Sequence, residues 1–357
     1  MAYTTIDDPS AHFQCELYTG NSGTNAITFS GNSDMKPDLV WNKRYDVGYN
    51  HVIWNSSVGV GKYLNSNTTN AEATFNYLTS FDTDGVTFGN ADQSVNVSGG
   101  SYILWNWKAN GGTTSSNTDG STTSTVQANT DAGFSIVTWT GTGSATTLGH
   151  GLGVAPAVLI VKNRSTAVDW AVYHQDLTNA GYVLALNNTD AEVNSGFQRW
   201  NRADPTSSVF SVGSGQQTNE NTSNMIAYCF AEKQGYSKFG SYAGTGGGGT
   251  NGKFVYTGFR PALVVIKSSS TSANWQVYSN KRPSYGNNIN KKLGWNNVTH
   301  ENGSDLGNTS QNNIDFLSNG FRCTTANTDT NSSQTYIYMA FAESPFVTST
   351  GIPTTAR

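Results

Sequence analysis

Short apolar runs separated by turn residues follow one another along the whole chain. Between residues 132 and 233 they read FSIVTWT, AVLIV, WAVYH, GYVLALNN, SVFSV and MIAYCFAE, with Gly or Asn in the gaps. Runs of about four to eight residues that alternate, or that are apolar throughout, predict β-strands, and the chain lacks the period of about 3.6 that marks amphipathic helices. The sequence therefore predicts an all-β fold of antiparallel sandwiches. The AVLIV run predicts a central strand that is covered on both faces.

One phrase occurs three times along the chain. In each copy a proline precedes an apolar run, and a large ring follows the proline by fourteen residues without insertion or deletion. The prolines are Pro37, Pro156 and Pro261, and the rings are those of His51, Trp170 and Trp275. Each copy also ends on an aromatic, strand-like run, which reads SYILWNWKA, NMIAYCFAE or TYIYMAFAE. This register indicates tandem duplication of one structural unit whose repeated residues form its core.

The spacing of the repeated phrase predicts the domain organisation. Its prolines lie 119 and 105 residues apart, which is close to the size of one sandwich domain. We therefore expect three tandem β-sandwich domains. The predicted segments are an N-terminal attachment segment (1–10), a first repeat (11–110), a Gly/Ser/Thr-rich linker (111–131), a second repeat (132–233), a third repeat (234–345) and a C-terminal tail (346–357). The second and third repeats adjoin directly, so we expect them to form one rigid unit.

The composition excludes several classes of partner. With 12% charged residues and a net charge of −4, the 357-residue chain lacks the clustered Lys and Arg that nucleic-acid binding requires. No apolar run approaches the roughly 20 residues of a membrane span, and the start MAYTTIDDPS lacks the features of a signal peptide. We therefore expect no nucleic-acid partner, no membrane insertion, and assembly in the cytoplasm of the producing cell.

The three cysteines predict packing rather than chemistry. Cys15, Cys229 and Cys323 are odd in number, and their spacings fit no zinc site and no disulfide framework. Each lies in or beside an apolar, strand-like run. They are therefore expected to be small buried hydrophobic residues.

The titratable residues form no recurrent catalytic pattern. The five histidines occupy no equivalent repeat positions, and His51 aligns with Trp170 and Trp275, an exchange unsuited to a general base or a metal ligand. No nucleophile elbow, zinc-protease motif or phosphate loop occurs in its required context. The sequence therefore predicts a non-enzymatic protein without catalytic residues, metal ligands or cofactor.

Two acidic patterns leave alternatives open. Asp82 and Asp84 before Gly85 resemble the first half of a calcium loop, but the later acidic ligand is missing, which favours a hairpin turn. Glu72 and Glu192 follow the matching phrases NTTNAEA and NNTDAEV in the first two repeats. This recurrent polar corner indicates a structural requirement, with a metal or sugar site as the alternative.

Tryptophans supply the candidate ligand contacts. Sugar binding uses exposed aromatic faces beside polar side chains. Trp54, Trp200 and Trp295 are expected to be exposed and are the candidate ligand-contact residues. Trp170 and Trp275, which share the repeated position, are expected in the core.

A family resemblance is carried by the series YTGN, KPDLVWNKR, GKYLNSNTTNAEA, TSFDTDGVTFG and YILWNWKA, with the later GYSKFGSYAGTG, FVYTGFRPALVVIKSS, NWQVYSNKR, FLSNGF and YIYMAFAESPFV. From Phe13 to Arg357 the chain resembles a repeat family of bacteriophages of marine bacteria, whose members are regarded as virion structural, tail-fibre or host-attachment proteins. The resemblance implies jelly-roll sandwiches similar to concanavalin-A-like lectins. It also implies a virion location, other virion proteins as partners and, by analogy with phage appendages, a homotrimer.

The leading hypothesis is a non-enzymatic bacteriophage virion protein, a tail fibre or other appendage that contacts the host surface. The alternatives are a head decoration (capsid fibre) protein and a soluble carbohydrate-binding lectin, and a host-surface glycan is the candidate ligand. A glycan hydrolase needs two carboxylates about 5 to 10 Å apart in a cleft, and the sequence suggests no such pair. Recognition residues are expected where the copies differ, in the loops after the repeated strand and in the segment between repeats one and two.

Overall fold

A computed structural model of the chain describes residues 2–282, 287–301 and 313–354. Parts of the predicted third repeat (283–286 and 302–312), of the predicted tail (355–357) and residue 1 lie outside the described residues. The fold is all-β, as predicted, because antiparallel strands make up its sheets, and helix is limited to short turns in the described part of the chain. No helix among the described residues is long and apolar enough to cross a membrane.

The first unit is a sandwich of a larger and a smaller sheet. Its strands are β1 (Phe13–Thr19), β2 (Asn25–Thr28), β3 (Leu39–Arg44), β4 (Val52–Asn55), β5 (Lys62–Tyr63), β6 (Ala73–Thr74), β7 (Leu78–Asp82), β8 (Gly85–Phe88) and β9 (Ser101–Trp107). The larger sheet has the order β1-β9-β3-β4 and the smaller sheet has the order β2-β8-β7, while β5 pairs with β6. Because β9 lies between β1 and β3, the end of the unit is held against its beginning.

The second unit repeats this order with additions at both edges. Its strands are β10 (Ser115–Asn117), β11 (Ser124–Asn129), β12 (Phe134–Thr140), β13 (Thr146–Gly149), β14 (Val158–Asn163), β15 (Ala171–His174), β16 (Tyr182–Ala185), β17 (Val193–Asn194), β18 (Val209–Val212) and β19 (Asn224–Phe230), with the helical turn α1 (Gln216–Asn219). The larger sheet runs β10-β11-β12-β19-β14-β15-β16-β17, and β13 pairs with β18. Every residue of β14 is buried, so the central strand predicted from AVLIV is confirmed.

The third unit has the same two sheets. Its strands are β20 (Ser237–Ala243), β21 (Phe254–Tyr256), β22 (Phe259–Ser268), β23 (Gln276–Ser279), β24 (Asn288–Ile289), β25 (Lys292–Gly294), β26 (Ile314–Leu317), β27 (Gly320–Cys323) and β28 (Thr335–Pro345). The larger sheet has the order β20-β28-β22-β23-β25 and the smaller sheet has the order β21-β27-β26-β24. The repeated proline, Pro261, lies inside β22 where the pairing with β28 is irregular. Because the regular ladder is interrupted there, the missing N–H of proline leaves no ladder hydrogen bond unmade.

The three units share one central core. Between its two sheets each unit encloses a hydrophobic cluster of its own, and the strand residues on the opposite face of each larger sheet join a single cluster that contains residues of all three units. In β3, for example, Val40 belongs to the cluster inside the first sandwich, whereas Leu39 and Trp41 belong to the shared core. The larger sheets are therefore covered on both faces, and the three sandwiches pack around a common centre.

Three aromatic rings from equivalent strand positions meet at this centre. Trp107, Phe230 and Phe341 are the last aromatic residues of the repeated aromatic runs, and all three are buried. Their ring centroids are 6.0, 5.5 and 5.8 Å apart, and each pair meets edge to face at 67° to 72°. Edge-to-face pairs at this separation are favourable. The units are thus related by an approximate threefold arrangement within one chain.

A ring nitrogen at the repeated position joins neighbouring units. Trp170 Nε1–H donates to Asn65 O of the first unit at 3.0 Å. Trp275 Nε1–H donates to Ala185 O of the second unit, also at 3.0 Å. The fourteen-residue register of the sequence therefore encodes a contact between units as well as core packing.

His51 makes the corresponding contact for the first unit. Its Nε2 lies 2.8 Å from Gly294 O of the third unit, and its Nδ1 accepts from Trp41 Nε1 at 3.0 Å. Since an indole can only donate, Nδ1 is the unprotonated nitrogen and Nε2–H donates to the carbonyl. Burial holds the pKa of His51 well below its usual value, so the ring is neutral. The three contacts run from the first unit to the third, from the third to the second and from the second to the first. The units therefore form a closed ring of three.

Three buried lysines follow the same cyclic pattern. Each lies six residues after its repeated proline and is 0% exposed. The ammonium groups donate across the unit boundaries, from Lys43 to Val298 O (2.9 Å), from Lys162 to Thr69 O (2.8 Å) and from Lys267 to Thr189 O (3.1 Å). A buried ammonium group is costly unless its protons are bonded. These lysines therefore act as donors that fix one unit against the next.

The recurrent polar corner belongs to this ring. The backbone N–H groups of equivalent glutamates donate to the neighbouring unit, from Glu72 to Arg164 O (2.8 Å), from Glu192 to Ser269 O (2.9 Å) and from Glu301 to Tyr45 O (3.0 Å). Glu72 also forms an ion pair of 2.7 Å with Arg164. Glu301, the third member of the set, was missed in the sequence. The corner serves the packing of the units, as its structural interpretation requires.

Replacing Trp275 by Phe tests the hydrogen bonds that join neighbouring units. The change keeps an aromatic ring but leaves Ala185 O without its donor, so we expect a loss of about 1–3 kcal/mol in the free energy of unfolding. The matched control is Trp54→Phe, because Trp54 is equally buried and its Nε1 has no hydrogen-bond partner among the described residues. Urea unfolding of both variants gives the comparison. Equal losses would contradict a role for the indole N–H.

The segment predicted as a linker, 111–131, is part of the second unit's sheet. It contains β10 and β11, and β11 pairs with β12 over five residues. Gln127 in this segment is buried, and its Oε1 accepts from Gly112 N at 2.7 Å while its Nε2 donates to Ser57 Oγ at 2.9 Å. The linker prediction is therefore wrong here. Thr and Val favour a strand as much as Ser and Gly favour a linker, and composition alone did not separate the two.

The predicted attachment segment 1–10 is packed against the third unit. Thr4 and Ile6 are buried, and Thr4 Oγ1 donates to Gln234 O at 2.7 Å. Asp7 accepts hydrogen bonds from the backbone N–H (2.6 Å) and the hydroxyl (2.5 Å) of Ser349, which lies in the predicted tail. The two segments therefore contact each other beside the third unit. Their role in attachment stays a prediction.

Candidate functional site

The three tryptophans predicted as ligand contacts are buried. Trp54, Trp200 and Trp295 are 0%, 1% and 1% exposed. Trp200 packs edge to face on Tyr173, and Trp295 stacks on Trp41 with ring centroids 4.1 Å apart. The prediction is therefore wrong for all three. Each tryptophan follows or precedes polar residues in the sequence, and such a neighbourhood is shared by exposed rings and by rings that fill a core from a strand or loop.

Exposed aromatic surface lies elsewhere. Among the described large apolar side chains, Phe197 of the second unit has the ring with the highest exposed fraction, 62%, and Phe75 of the first unit is 47% exposed. Phe75 packs on Tyr77, with ring centroids 4.4 Å apart. Phe197 instead has the guanidinium of Arg202 over its ring at 4.7 Å. Its chain neighbours Ser195 and Gln198 line a cavity.

The cavity lies on the second unit and has a volume of about 280 Å³. It is bounded by the outer strands β16 and β17 and by the loop that follows them. Its polar lining consists of Asp169, Asn188, Asp190, Asn194, Ser195, Gln198, Arg199 and Gln217, and its apolar floor includes Ala171, Val183 and Leu184. Phe197 stands in the chain between the lining residues Ser195 and Gln198. We call this cavity, with Phe197, the recognition groove.

The loop that forms the groove is particular to the second unit. In the first and third units β7 and β26 complete the smaller sheet, whereas the second unit, all of which the structure describes, has a loop of residues 195–208 at that place. The loop is held by backbone bonds, from Ser195 N to Gly181 O and from Gly213 N to Arg199 O, both 2.8 Å. Buried Trp200 anchors it from below. The groove thus has a fixed wall.

Backbone strain is concentrated at the end of this wall. Asn201 and Arg202 have φ angles of +51° and +53°, a region that side chains other than glycine rarely adopt. Two such residues in succession cost stability and persist only where the surroundings impose them. Here the turn carries the Arg202 guanidinium onto one face of the exposed Phe197 ring.

Arg199 is the unusual charged group of the groove. Of the arginines in the described residues, five form an ion pair, and these are Arg44, Arg164, Arg260, Arg282 and Arg322. Arg199 forms neither an ion pair nor a side-chain hydrogen bond with any described residue, although it is partly buried. Burial lowers the pKa of Arg199 from its usual value, and the nearby negative charge of Asp169 opposes this shift. The guanidinium therefore has free donors inside a polar cavity.

Two carboxylates of the groove are half satisfied. Asp169 Oδ1 accepts from Asn187 Nδ2 at 2.8 Å, and Asp190 Oδ2 accepts from Asn188 Nδ2 at 2.9 Å. The second oxygen of each accepts no hydrogen bond from a described residue. The groove therefore offers free acceptors beside free donors. This combination suits a ligand with several hydroxyl groups.

The remaining candidate groups are engaged in packing. Asp82 accepts from Ser80 and Thr87 in the β7–β8 hairpin, so the turn interpretation is confirmed there. The three cysteines are free and buried, and burial raises the pKa of Cys229 and Cys323 to about 12. No group of three or more His, Cys, Asp or Glu side chains within the described ranges is placed to hold a metal ion.

Sequence reasoning missed Phe197 and Arg199. Both lie in the stretch GFQRWNRAD, which contains aromatic and basic residues and lies where the other two units have a strand of the smaller sheet. The signal for them was the expectation that recognition residues occur where the repeats differ. That expectation was applied to the loops after the repeated strand and to the segment 111–131, and not to this loop.

Comparison with known proteins gives one family. A family model described as a domain of unknown function (DUF7483) matches residues 8–345. No curated protein and no solved structure matches the chain. The matched span includes all three units and therefore the complete ring.

Proposed function

The chain belongs to the family described as a domain of unknown function (DUF7483), and we propose that it is a non-enzymatic bacteriophage virion protein that binds a host-surface glycan. The observation that carries the recognition part is the groove of the second unit, where the Arg199 guanidinium lines the cavity without a partner and the loop that contains it also carries the exposed ring of Phe197. In the proposal the ring of three units is the scaffold and the groove is the contact with the host.

The distribution of polar groups supports a binding role. The lysines, the glutamate backbones and the aromatic N–H groups at equivalent positions all bond across unit boundaries. Such a network fixes a rigid body, and rigid elements position a binding site with little loss of entropy on association. Groups that are tied into the scaffold are not free for proton transfer.

The virion location rests on the resemblance to phage structural proteins. Low charge, an Asn-, Thr- and Ser-rich composition and free buried cysteines suit a protein that is assembled in a reducing cytoplasm and then functions outside the cell. A tail appendage is the leading form of the proposal, and head decoration is its alternative. A soluble lectin would use the same groove without a particle.

Purified particles test the virion location. We expect the protein in a fixed, symmetric number of copies per particle by quantitative mass spectrometry, and labelled antibodies should mark the tail in electron micrographs. Native mass spectrometry of the isolated protein should give three times the chain mass of 38.2 kDa if the expected homotrimer forms. Absence of the protein from particles purified through a density gradient would reject the virion role and favour the soluble lectin.

A further inference from the structure

The recognition groove contains a charge that the protein itself does not satisfy. A partly buried guanidinium is normally paired, because the loss of hydration must be compensated. Arg199 lines a polar cavity. Among the described residues it has no anionic partner within hydrogen-bonding distance. The five paired arginines of the same chain show that its carboxylates ordinarily fulfil this role. The missing partner therefore points to a ligand with an anionic group.

The other groups of the groove define the rest of that ligand. The free carboxylate oxygens of Asp169 and Asp190 repel a polyanion, but they accept hydrogen bonds from hydroxyl groups. The exposed ring of Phe197 offers an apolar face on which a sugar ring can lie. A volume of about 280 Å³ is near the lower end of ligand pockets and suits a single sugar residue.

We propose that the groove binds a carboxylate-bearing sugar, a sugar acid, with Arg199 as the partner of the carboxylate. The planar fork of a guanidinium matches a carboxylate in two parallel hydrogen bonds, which a hydroxymethyl group cannot reproduce. Asp169 and Asp190 take the ring hydroxyls, and Phe197 packs against one face of the sugar. The inference rests on the proposed recognition function, but it does not depend on the position of the protein in a virion.

Matched sugars test the proposal. Isothermal titration of the full chain with methyl glucuronide and methyl glucoside, and with methyl galacturonide and methyl galactoside, compares rings that differ only in the carboxylate. N-acetylneuraminic acid and sodium acetate complete the panel. We expect at least one sugar acid to bind at least tenfold more tightly than its neutral counterpart or, for N-acetylneuraminic acid, than acetate.

Variants assign the binding to the groove. Arg199→Gln should abolish the preference for the acid, Arg199→Lys should retain part of it, and Phe197→Ala should weaken acid and neutral sugars alike. The matched control is Arg322→Gln, which removes a guanidinium paired with Asp315 at 2.8 Å in the third unit and should leave binding unchanged. Thermal melting of each variant shows that the fold is intact.

The outcomes separate this inference from the proposed function. Equal affinity for acid and neutral sugars, or acid binding unaffected by Arg199→Gln, overturns the sugar-acid assignment and leaves glycan recognition standing. Failure of every sugar in the panel to bind also overturns the assignment. In that case adhesion of the purified protein to intact host cells, before and after enzymatic removal of surface glycans, decides the proposed function independently.

Discussion

Phe341→Ala is expected to lower the free energy of unfolding by about 3–5 kcal/mol, a large share of the roughly 5–15 kcal/mol that stabilises an ordinary domain. The ring of Phe341 is 2% exposed and contacts Trp107 and Phe230 from the other two units. Its loss leaves a cavity where three sheets meet. Because the core is shared, the loss affects the packing of all three units at once.

Urea unfolding measures this effect. Intrinsic tryptophan fluorescence and far-ultraviolet circular dichroism should give coincident transitions, because the shared core couples the units. The matched control is Phe254→Ala in the same unit, whose ring is 42% exposed and which should change the free energy by less than about 1 kcal/mol. Separate transitions for the units, or a loss below 1 kcal/mol for Phe341→Ala, would contradict a shared core.

The sequence pattern predicts the sheets because each strand is a short apolar or aromatic run bounded by turn residues, and the continuous runs are the strands buried on both faces. The run AVLIV becomes β14, and MIAYCFAE becomes β19 beside it. The fourteen-residue register marks positions that persist in all three copies. Residues that are kept in all three copies are those that pack in the core. One sequence with internal repeats therefore identifies core positions without an alignment of relatives.

The arrangement of the units is not contained in that pattern. The register shows that His51 and Trp170 are equivalent, but it does not show that each ring reaches a carbonyl of another unit. Contacts between distant segments depend on the relative placement of whole sheets, and no local periodicity encodes that placement. For the same reason the buried lysines read as ordinary polar positions after an apolar run.

The groove was unpredictable for a related reason. Exposure of Phe197 and isolation of Arg199 arise because a loop replaces one strand of the smaller sheet. Trp200, three residues from an exposed ring and one residue from a cavity arginine, is buried. Neighbours in a loop point in different directions without a fixed period, so residue type alone does not separate an anchor from a ligand contact.

The free energy of unfolding is expected to rise from pH 7 to pH 9.5. Burial lowers the pKa of Lys43 to about 7 and the pKa values of Lys162 and Lys267 to about 8. In the unfolded chain a lysine has a pKa of about 10.4 and stays protonated through this range. The folded state therefore binds fewer protons than the unfolded state, and each such lysine adds at most about 1.4 kcal/mol of stability per pH unit.

Both ends of the range follow from the same linkage. Below about pH 7 these lysines are protonated in both states, so their destabilising effect is fully present and does not vary with pH. Above about pH 10 the tyrosines of the unfolded chain ionise, whereas burial raises the pKa of Tyr18 and Tyr278 well above the usual value, and stability falls again. We therefore expect a maximum between about pH 9 and pH 10.

Urea unfolding at fixed ionic strength between pH 6 and pH 9.5 measures the slope. Lys43→Met should reduce it by at most about 1.4 kcal/mol per pH unit above pH 7, whatever the variant's absolute stability, because the change removes one titrating group. Lys62→Met is the matched control, since Lys62 is exposed and lies in the same unit, and it should leave the slope unchanged. A free energy of unfolding that falls between pH 7 and pH 9, or equal slopes for Lys43→Met and the unaltered chain, would show that the buried ammonium groups keep their protons. The carbonyls of Val298, Thr69 and Thr189 would then compensate fully for the lost hydration.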